Sequence, residues 1–267
     1  MSNRQAHTGK VYLIGAGPGD AKLLTIKAAE SIAVSEVIVY DYLVNPEILA
    51  HSRRGAELIY VGKRAGEPSI SQTQINQILI AHARAGKIVS RLKGGDPFIF
   101  GRGGEEAEAL VEAGIAWEVV PGISSGVAAA AYAGIPLTHR NYASSVAFIT
   151  GHDSRKNRPA VDWQAAANLA DTLVIFMCAE TIKQIARALV AGGRAPSTPI
   201  AIIRWGTYAH QEVYAGKLAD LANDDGEFLD IKPPAIAIVG EVVALKEKLN
   251  WFHHQVFEFG LAEVAGF

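Results

Sequence analysis

Short β-branched apolar runs alternate with helical patterns along most of this chain, and that alternation calls for an α/β fold. Runs at residues 11–14, 36–40, 57–61, 88–92 and 116–120 are continuous rather than every second residue, as parallel strands buried on both faces require. Helices fit between them. Residues 23–34 follow a glycine-rich turn, Ser71 can cap a helix carrying Ile75, Ile78 and Leu79, and residues 103–113 stop at Gly114. The first half therefore reads as a β-α-β series making a parallel sheet. After Pro121-Gly122 come a small-residue helix at 124–133 and strand-like runs at 145–150, 172–177, 200–205, 211–214 and 235–239. An acidic loop and Pro233-Pro234 separate the last two, so the second sheet is expected to be mixed.

Two α/β domains follow from this pattern: an N-terminal one over 10–122, a C-terminal one over 123–250, and a tail over 251–267 without a regular pattern. A length of 267 residues suits two cores, and 49% hydrophobic with 19% charged residues is ordinary for a globular enzyme. Cys178 is the single cysteine, which excludes an intrachain disulfide, and the polar first ten residues lack the apolar core of a secretory signal. A cytoplasmic setting is expected. No apolar run approaches the ~20 residues that span a bilayer, so no membrane partner is expected.

The formal net charge of −2 gives no general affinity for nucleic acid. Between residues 51 and 102, however, Arg53, Arg54, Lys63, Arg64, Arg84, Lys87, Arg91, Lys93 and Arg102 face only Glu57, Glu67 and Asp96. That excess suits a small polyanionic ligand, with solvated helix-face charges as the plain alternative.

In open α/β sheets, ligands bind beyond the carboxyl ends of the strands. Here the first strand ends in Gly15-Ala16-Gly17-Pro18-Gly19-Asp20 and the second in Asp41. The third ends in Gly62-Lys63-Arg64, the fourth in Lys93-Gly94-Gly95-Asp96-Pro97, and the fifth in Pro121-Gly122. Each is ordinary turn chemistry by itself; their convergence on one edge marks a site. Gly15 and Gly17 fit the start of a dinucleotide fingerprint, but Asp20 stands where its third glycine belongs and Pro18 has no N–H for a pyrophosphate. A nucleoside without phosphate fits better, which favours S-adenosylmethionine over a nicotinamide cofactor. The eight histidines have no metal-site spacing, so no metal is expected. Cys178 reads as a buried small residue, Ser124 as a helix N-cap, and Met177 as core by default, with packing against an adenine ring as its functional alternative.

The segments VYLIGAGPGDAKLLTIKA, VIVYDYLV, VGKRAG, RLKGGDPFIFGRGGEE, VVPGISS, YAGIPLTHR and PPAIAIVGEVVAL resemble those of the S-adenosylmethionine-dependent uroporphyrinogen-III C-methyltransferases, within the tetrapyrrole methylases. The likeness covers about residues 10–250. It implies two α/β domains with the cofactor between them, and a homodimer. It implies cofactor contacts at Pro18, Gly94, Gly95, Asp96, Ile99, Ser124, Ser125, Met177, Gly206 and Ala235, and proton-handling roles for Asp41 and Lys63. Ser124 stands where threonine is common, and Cys178-Ala179 follows Met177 where glycine is usual. Larger relatives add a dehydrogenase and ferrochelatase unit for which this chain has no room, so methylation alone is expected.

The implied reaction transfers methyl groups to C2 and C7 of uroporphyrinogen III, giving precorrin-2 and S-adenosylhomocysteine. An electron-rich pyrrole carbon needs aim rather than an activated nucleophile. Its acetates and propionates need cations that form paired hydrogen bonds: Arg102 first, then Arg64 and Arg140. Glu105 and Glu106 read as dipole partners in the first turn of their helix. The alternatives are a sibling corrinoid methyltransferase, an NAD-dependent oxidoreductase disfavoured by Pro18 and Asp20, and a non-catalytic tetrapyrrole carrier.

Overall fold

The computed structural model describes residues 9–62, 70–152, 161–223, 230–252 and 255–258. Lys63 and Arg64, and most of the tail, lie outside them. The chain divides into two compact units, Met1–Ser124 and Ser125–Phe267.

The first unit contains β1 (Lys10–Gly15), α1 (Ile26–Val34), β2 (Val37–Tyr40), β3 (Glu57–Tyr60), α2 (Gln72–Arg84), β4 (Ile88–Lys93), α3 (Gly103–Glu112) and β5 (Ala116–Val120). Its five strands form one sheet in the order β3-β2-β4-β1-β5, every pairing parallel. The chain leaves β1 toward β2 and leaves β4 in the opposite sense toward β5, so the strand order reverses between β1 and β4. That is where an open α/β sheet offers a crevice. Ile14, Ile32, Ile38 and Leu92 pack with α1 on one face, while Leu13, Val39, Leu79, Val89 and Leu110 pack with α2 and α3 on the other. Each such buried aliphatic contributes about 1.5–3 kcal/mol.

Local chemistry sets the helix ends. Ser71 Oγ accepts from Gln74 N–H at 3.3 Å while Gln74 Oε1 accepts from Ser71 N–H at 2.8 Å, a reciprocal cap on α2. The first helix starts later than its sequence pattern indicates. Residues 21–23 form a 3-10 turn capped by Asp20, and the α-helix begins only at Ile26, where Thr25 Oγ1 accepts from Ala28 N–H.

The second unit contains α4 (Ser125–Tyr132), β6 (Val146–Thr150), α5 (Trp163–Ala166), β7 (Thr172–Phe176), α6 (Ile182–Ala191), β8 (Pro199–Arg204), β9 (Glu212–Lys217), α7 (Leu218–Ala222), β10 (Ala235–Val239), α8 (Lys246–Leu249) and β11 (Gln255–Glu258). Its sheet runs β11-β9-β8-β10-β7-β6 and is mixed: β10 is antiparallel to β7 and β8, and β8 is antiparallel to β9. The outer pairs, β6 with β7 and β9 with β11, are parallel. Leu173, Ile175, Ile185, Leu189 and Ile202 fill one face, and Ala129, Val174, Ile203, Ile238 and Val242 the other.

The described residues after Asn250, a stretch that carries no regular sequence pattern, make specific contacts. Trp251 Nε1 donates to Ala131 O at 2.9 Å, and β11 adds an edge strand whose Phe257 ring stacks on Tyr214. Among the described residues no helix is long and apolar enough to cross a membrane.

Candidate active site

In the first unit, the loops after β1, β4 and β5 are tied together at the carboxyl edge of the sheet. Gly17 and Gly95 pair as an antiparallel bridge, with Gly95 N–H donating to Gly17 O at 2.7 Å and Gly17 N–H to Gly95 O at 3.2 Å. Ala16 N–H donates to Lys93 O at 2.8 Å. Asp96 Oδ2 accepts from Gly122 N–H at 3.0 Å, which brings in the loop after β5. The approach of these loops leaves no room for side chains, since a Cβ on Gly122 would lie 2.3 Å from Gly95 O and 2.6 Å from Gly15 Cα. Pro18, Gly94, Gly95, Asp96 and Ile99 are thus gathered on a single rim. Tyr42, Leu43, Phe98, Ile99 and Phe100 leave apolar surface exposed on the loops after β2 and β4.

Asp41 follows β2 on the same edge. Its Oδ1 accepts from Leu43 N–H at 3.2 Å and its Oδ2 from Arg91 Nη2 at 3.0 Å. Arg102 sits at the start of α3 with φ of 59°, and its fork grips Glu105: Nε to Oε1 at 2.8 Å and Nη2 to Oε2 at 2.7 Å. This bond raises the Arg102 pKa and holds the Glu105 carboxyl below the usual carboxylate range. Asp20 accepts from Lys22 N–H at 2.9 Å, so an acid caps the turn after β1, and Pro18 in that turn has no N–H to donate. Both features fit a nucleoside without phosphate, and neither fits a pyrophosphate.

In the second unit, Ser125, Met177, Gly206 and Ala235 come together at one edge of the sheet. The antiparallel direction of β10 places its first residue, Ala235, opposite Arg204 at the end of β8, and places Ile236 opposite Phe176 at the end of β7. Helix α4 reaches the same edge, where a Cβ on Gly206 would lie 2.3 Å from the Ala129 Cβ. Met177 is not core: it is 49% exposed with φ of 53°. Five described non-glycine residues have positive φ, namely Phe100, Arg102, Met177, Trp205 and Thr207, and all follow the carboxyl ends of β4, β7 or β8. Backbone strain of this kind gathers at functional sites. Cys178 matches its sequence reading: it is fully buried, and burial pushes its thiol up to about 12, far from nucleophilic. Arg140 lies exposed on the turn closed by the His139–Ala143 bridge, in the second unit rather than among the loops gathered in the first.

Sequence reasoning missed one element. Arg91 and Lys93 belong to no solvated face and to no exposed basic patch; they are 3% and 4% exposed inside the sheet. Glu106, read as a helix-dipole partner, is fully buried and bonds to both. The signal was present as two cations at i and i+2 in a strand apolar enough to be central, where charge must meet countercharge.

The family model of the Tetrapyrrole (Corrin/Porphyrin) Methylases matches residues 10–222. Uroporphyrinogen-III C-methyltransferase of Bacillus subtilis is 48% identical over 96% of this chain and 99% of its own length. Siroheme synthase 2 of Aeromonas hydrophila is 52% identical over 94% of this chain, which spans about half the length (53%) of that relative. Uroporphyrin-III C-methyltransferase from Thermus thermophilus, solved with S-adenyl homocysteine, superposes with a TM-score of 0.76 at 38% identity over 89% of this chain and 100% of its own. On these matches the chain belongs to the tetrapyrrole methylase family and groups within it with the uroporphyrinogen-III C-methyltransferases.

Proposed function

We propose that this protein transfers methyl groups from S-adenosylmethionine to C2 and C7 of uroporphyrinogen III, releasing precorrin-2 and S-adenosylhomocysteine. The observation that carries this reading is the 48% identity that runs end to end through both this chain and the Bacillus subtilis enzyme. Pro18, Gly94, Gly95, Asp96, Ile99, Ser124, Ser125, Met177, Gly206 and Ala235 are assigned to the cofactor. Bound there, S-adenosylmethionine supplies an already activated methyl group, so the reaction calls for no metal. On the same reading the protein acts in the cytoplasm as a homodimer, on a small-molecule substrate and without nucleic acid or membrane.

The chain's own residues aim the macrocycle and take up its proton. Arg102, with Arg64 and Arg140, is assigned to the substrate carboxylates; Arg102 must first exchange Glu105 for a substrate carboxylate, which the shared fork geometry permits. After each transfer the methylated ring sheds a proton, and the Asp41 carboxylate accepts it. Lys63 is assigned to donate a proton or anchor a carboxylate. The test is anaerobic incubation of purified protein with S-adenosylmethionine and uroporphyrinogen III, with methyl groups counted by product mass. Two added methyl groups support the reading. An unmodified tetrapyrrole, or methylation only of a later corrinoid, removes it.

A further inference from the structure

Strand β4 carries two cations into the interior of the first unit. Val89, Arg91 and Lys93 alternate onto the face covered by α2 and α3, where an aliphatic residue is the usual occupant of a central parallel strand. Glu106 meets them there: its Oε1 accepts from Arg91 Nε at 3.1 Å, Lys93 Nζ at 3.0 Å and Gln72 Nε2 at 3.0 Å. The remaining nitrogens of the Arg91 guanidinium are also committed, Nη1 to Leu92 O at 2.7 Å and Nη2 to Asp41 Oδ2 at 3.0 Å. A planar fork held at each nitrogen by a different acceptor cannot turn, so its bond to Asp41 has a fixed direction.

Stability alone is a weak reason to keep such a cluster. Replacing buried ion pairs by apolar residues of similar volume is often neutral or favourable. The Lys93 ammonium illustrates the cost, since burial first and the Arg91 charge next hold its pKa below the ordinary lysine value. The cluster also has a direction. The side chains of Glu106, Arg91 and Lys93 are 0%, 4% and 6% exposed, whereas the Asp41 side chain at its end is 26% exposed on the carboxyl rim. Leu43 N–H holds Oδ1 of Asp41, so both carboxylate oxygens are anchored and their remaining lone pairs are aimed.

We infer that Arg91 is a positioning residue for Asp41, and that Glu106 is the buried clamp that fixes Arg91 in the orientation needed for proton acceptance. This rests on the methyltransferase reading, in which Asp41 is the acceptor. Neither Arg91 nor Glu106 touches substrate; both act through the Asp41 carboxylate. Lysine at position 91 would keep the charge but could not serve Glu106, Leu92 O and Asp41 from one ammonium in the same three directions.

The test is a double-mutant cycle in the full chain with Arg91→Lys, Asp41→Asn and the pair, reading kcat and KM for uroporphyrinogen III, S-adenosylhomocysteine affinity by calorimetry, and the thermal midpoint. Arg91→Lys is expected to lower kcat about tenfold or more with KM and cofactor affinity within about threefold, and to lower kcat no further in the Asp41→Asn background. A kcat loss of the same factor in both backgrounds, or no loss in either, overturns the inference while wild-type methylation leaves the functional reading standing. A wild type that does not methylate uroporphyrinogen III overturns both. Should Arg91→Lys not fold, Glu106→Gln enters the same cycle, leaving Arg91 in place with a weakened clamp; dependence on Asp41 is again the expected result and independence the contrary one.

Discussion

The Asp96 carboxylate holds the Gly122 backbone. Oδ2 accepts from Gly122 N–H at 3.0 Å while Oδ1 accepts from Phe98 N–H at 2.8 Å, so one side chain orders its own loop and joins it to the loop after β5. Asparagine is nearly the same size but has a single acceptor oxygen and no charge, so one of the two N–H groups must lose its partner. Asp96→Asn is expected to lower unfolding free energy by about 1–3 kcal/mol and to weaken S-adenosylhomocysteine binding. Urea denaturation and calorimetry measure the two effects. Unchanged values for both would mean that the tie is incidental.

Two glycines predict opposite results for the same substitution. A Cβ on Gly122 meets backbone on both sides, Gly95 O at 2.3 Å and Gly15 Cα at 2.6 Å, and backbone cannot swing away as a flexible side chain can. Gly122→Ala should therefore cost about 3 kcal/mol or more, at the upper end of overpacking penalties. A Cβ on Gly104, in the first turn of α3, meets nothing within 4 Å. Gly104→Ala should stabilise by up to about 1 kcal/mol through helix propensity. Thermal melts of the two variants check both signs.

Much of this arrangement was legible before the structure. Parallel strands in the first sheet, a mixed second sheet and the convergence of glycine turns on one edge follow from local patterns, because period and turn chemistry are local. What was not legible is tertiary. The charges of Arg91 and Lys93 looked like surface because their partner, Glu106, sits 15 and 13 residues away on another element. Met177 ends an apolar strand and reads as core, but its positive φ turns the side chain outward. Strand β11 has four residues, and its parallel pairing with β9 spans more than forty positions of sequence. No short window records such a pairing.

A substitution at Arg102, assigned above to the substrate carboxylates, tests substrate binding apart from cofactor binding. The Arg102 guanidinium, exposed and matched to a carboxylate fork, is held by Glu105 three residues along the chain. An exposed pair of this kind contributes about 0.2–1 kcal/mol to folding, so removing it leaves the fold intact. Arg102→Ala is expected to raise KM for uroporphyrinogen III about tenfold or more while S-adenosylhomocysteine affinity stays within about twofold, in line with loss of one charge-assisted pair. Equal losses in both constants would point to misfolding instead.

Asp171 makes a pH-dependent contribution to the second unit. Its Oδ2 accepts from Ser144 N–H at 2.8 Å and Ser145 N–H at 3.1 Å, and from the Ser145 and Ser144 hydroxyls at 2.9 and 3.0 Å. The Ser144 backbone donor, followed by the Ser145 hydroxyl, holds the carboxyl down at about 2. Because the folded-state value lies below the ordinary 3.8, the stabilisation is complete above 3.8 and is lost as pH falls toward 2. Asp171→Asn should therefore melt below wild type at about pH 5, with the gap closing over the acid window. A gap that stays constant with pH would assign the effect to packing rather than charge.

Met177 tests whether strain at the second rim serves binding. A non-glycine residue at φ of 53° is strained, and a side chain 49% exposed recovers little by burial. Left-handed backbone costs about 1–2 kcal/mol with a Cβ present. Glycine removes that strain but returns about 0.5–1 kcal/mol as freedom of the unfolded chain. Met177→Gly should consequently gain a few tenths to about 1 kcal/mol in stability while weakening S-adenosylhomocysteine binding, because the thioether assigned to the nucleoside is gone. Opposite signs in the two measurements are what strain retained for a ligand produces. A loss of stability together with unchanged affinity would return Met177 to an ordinary packing role.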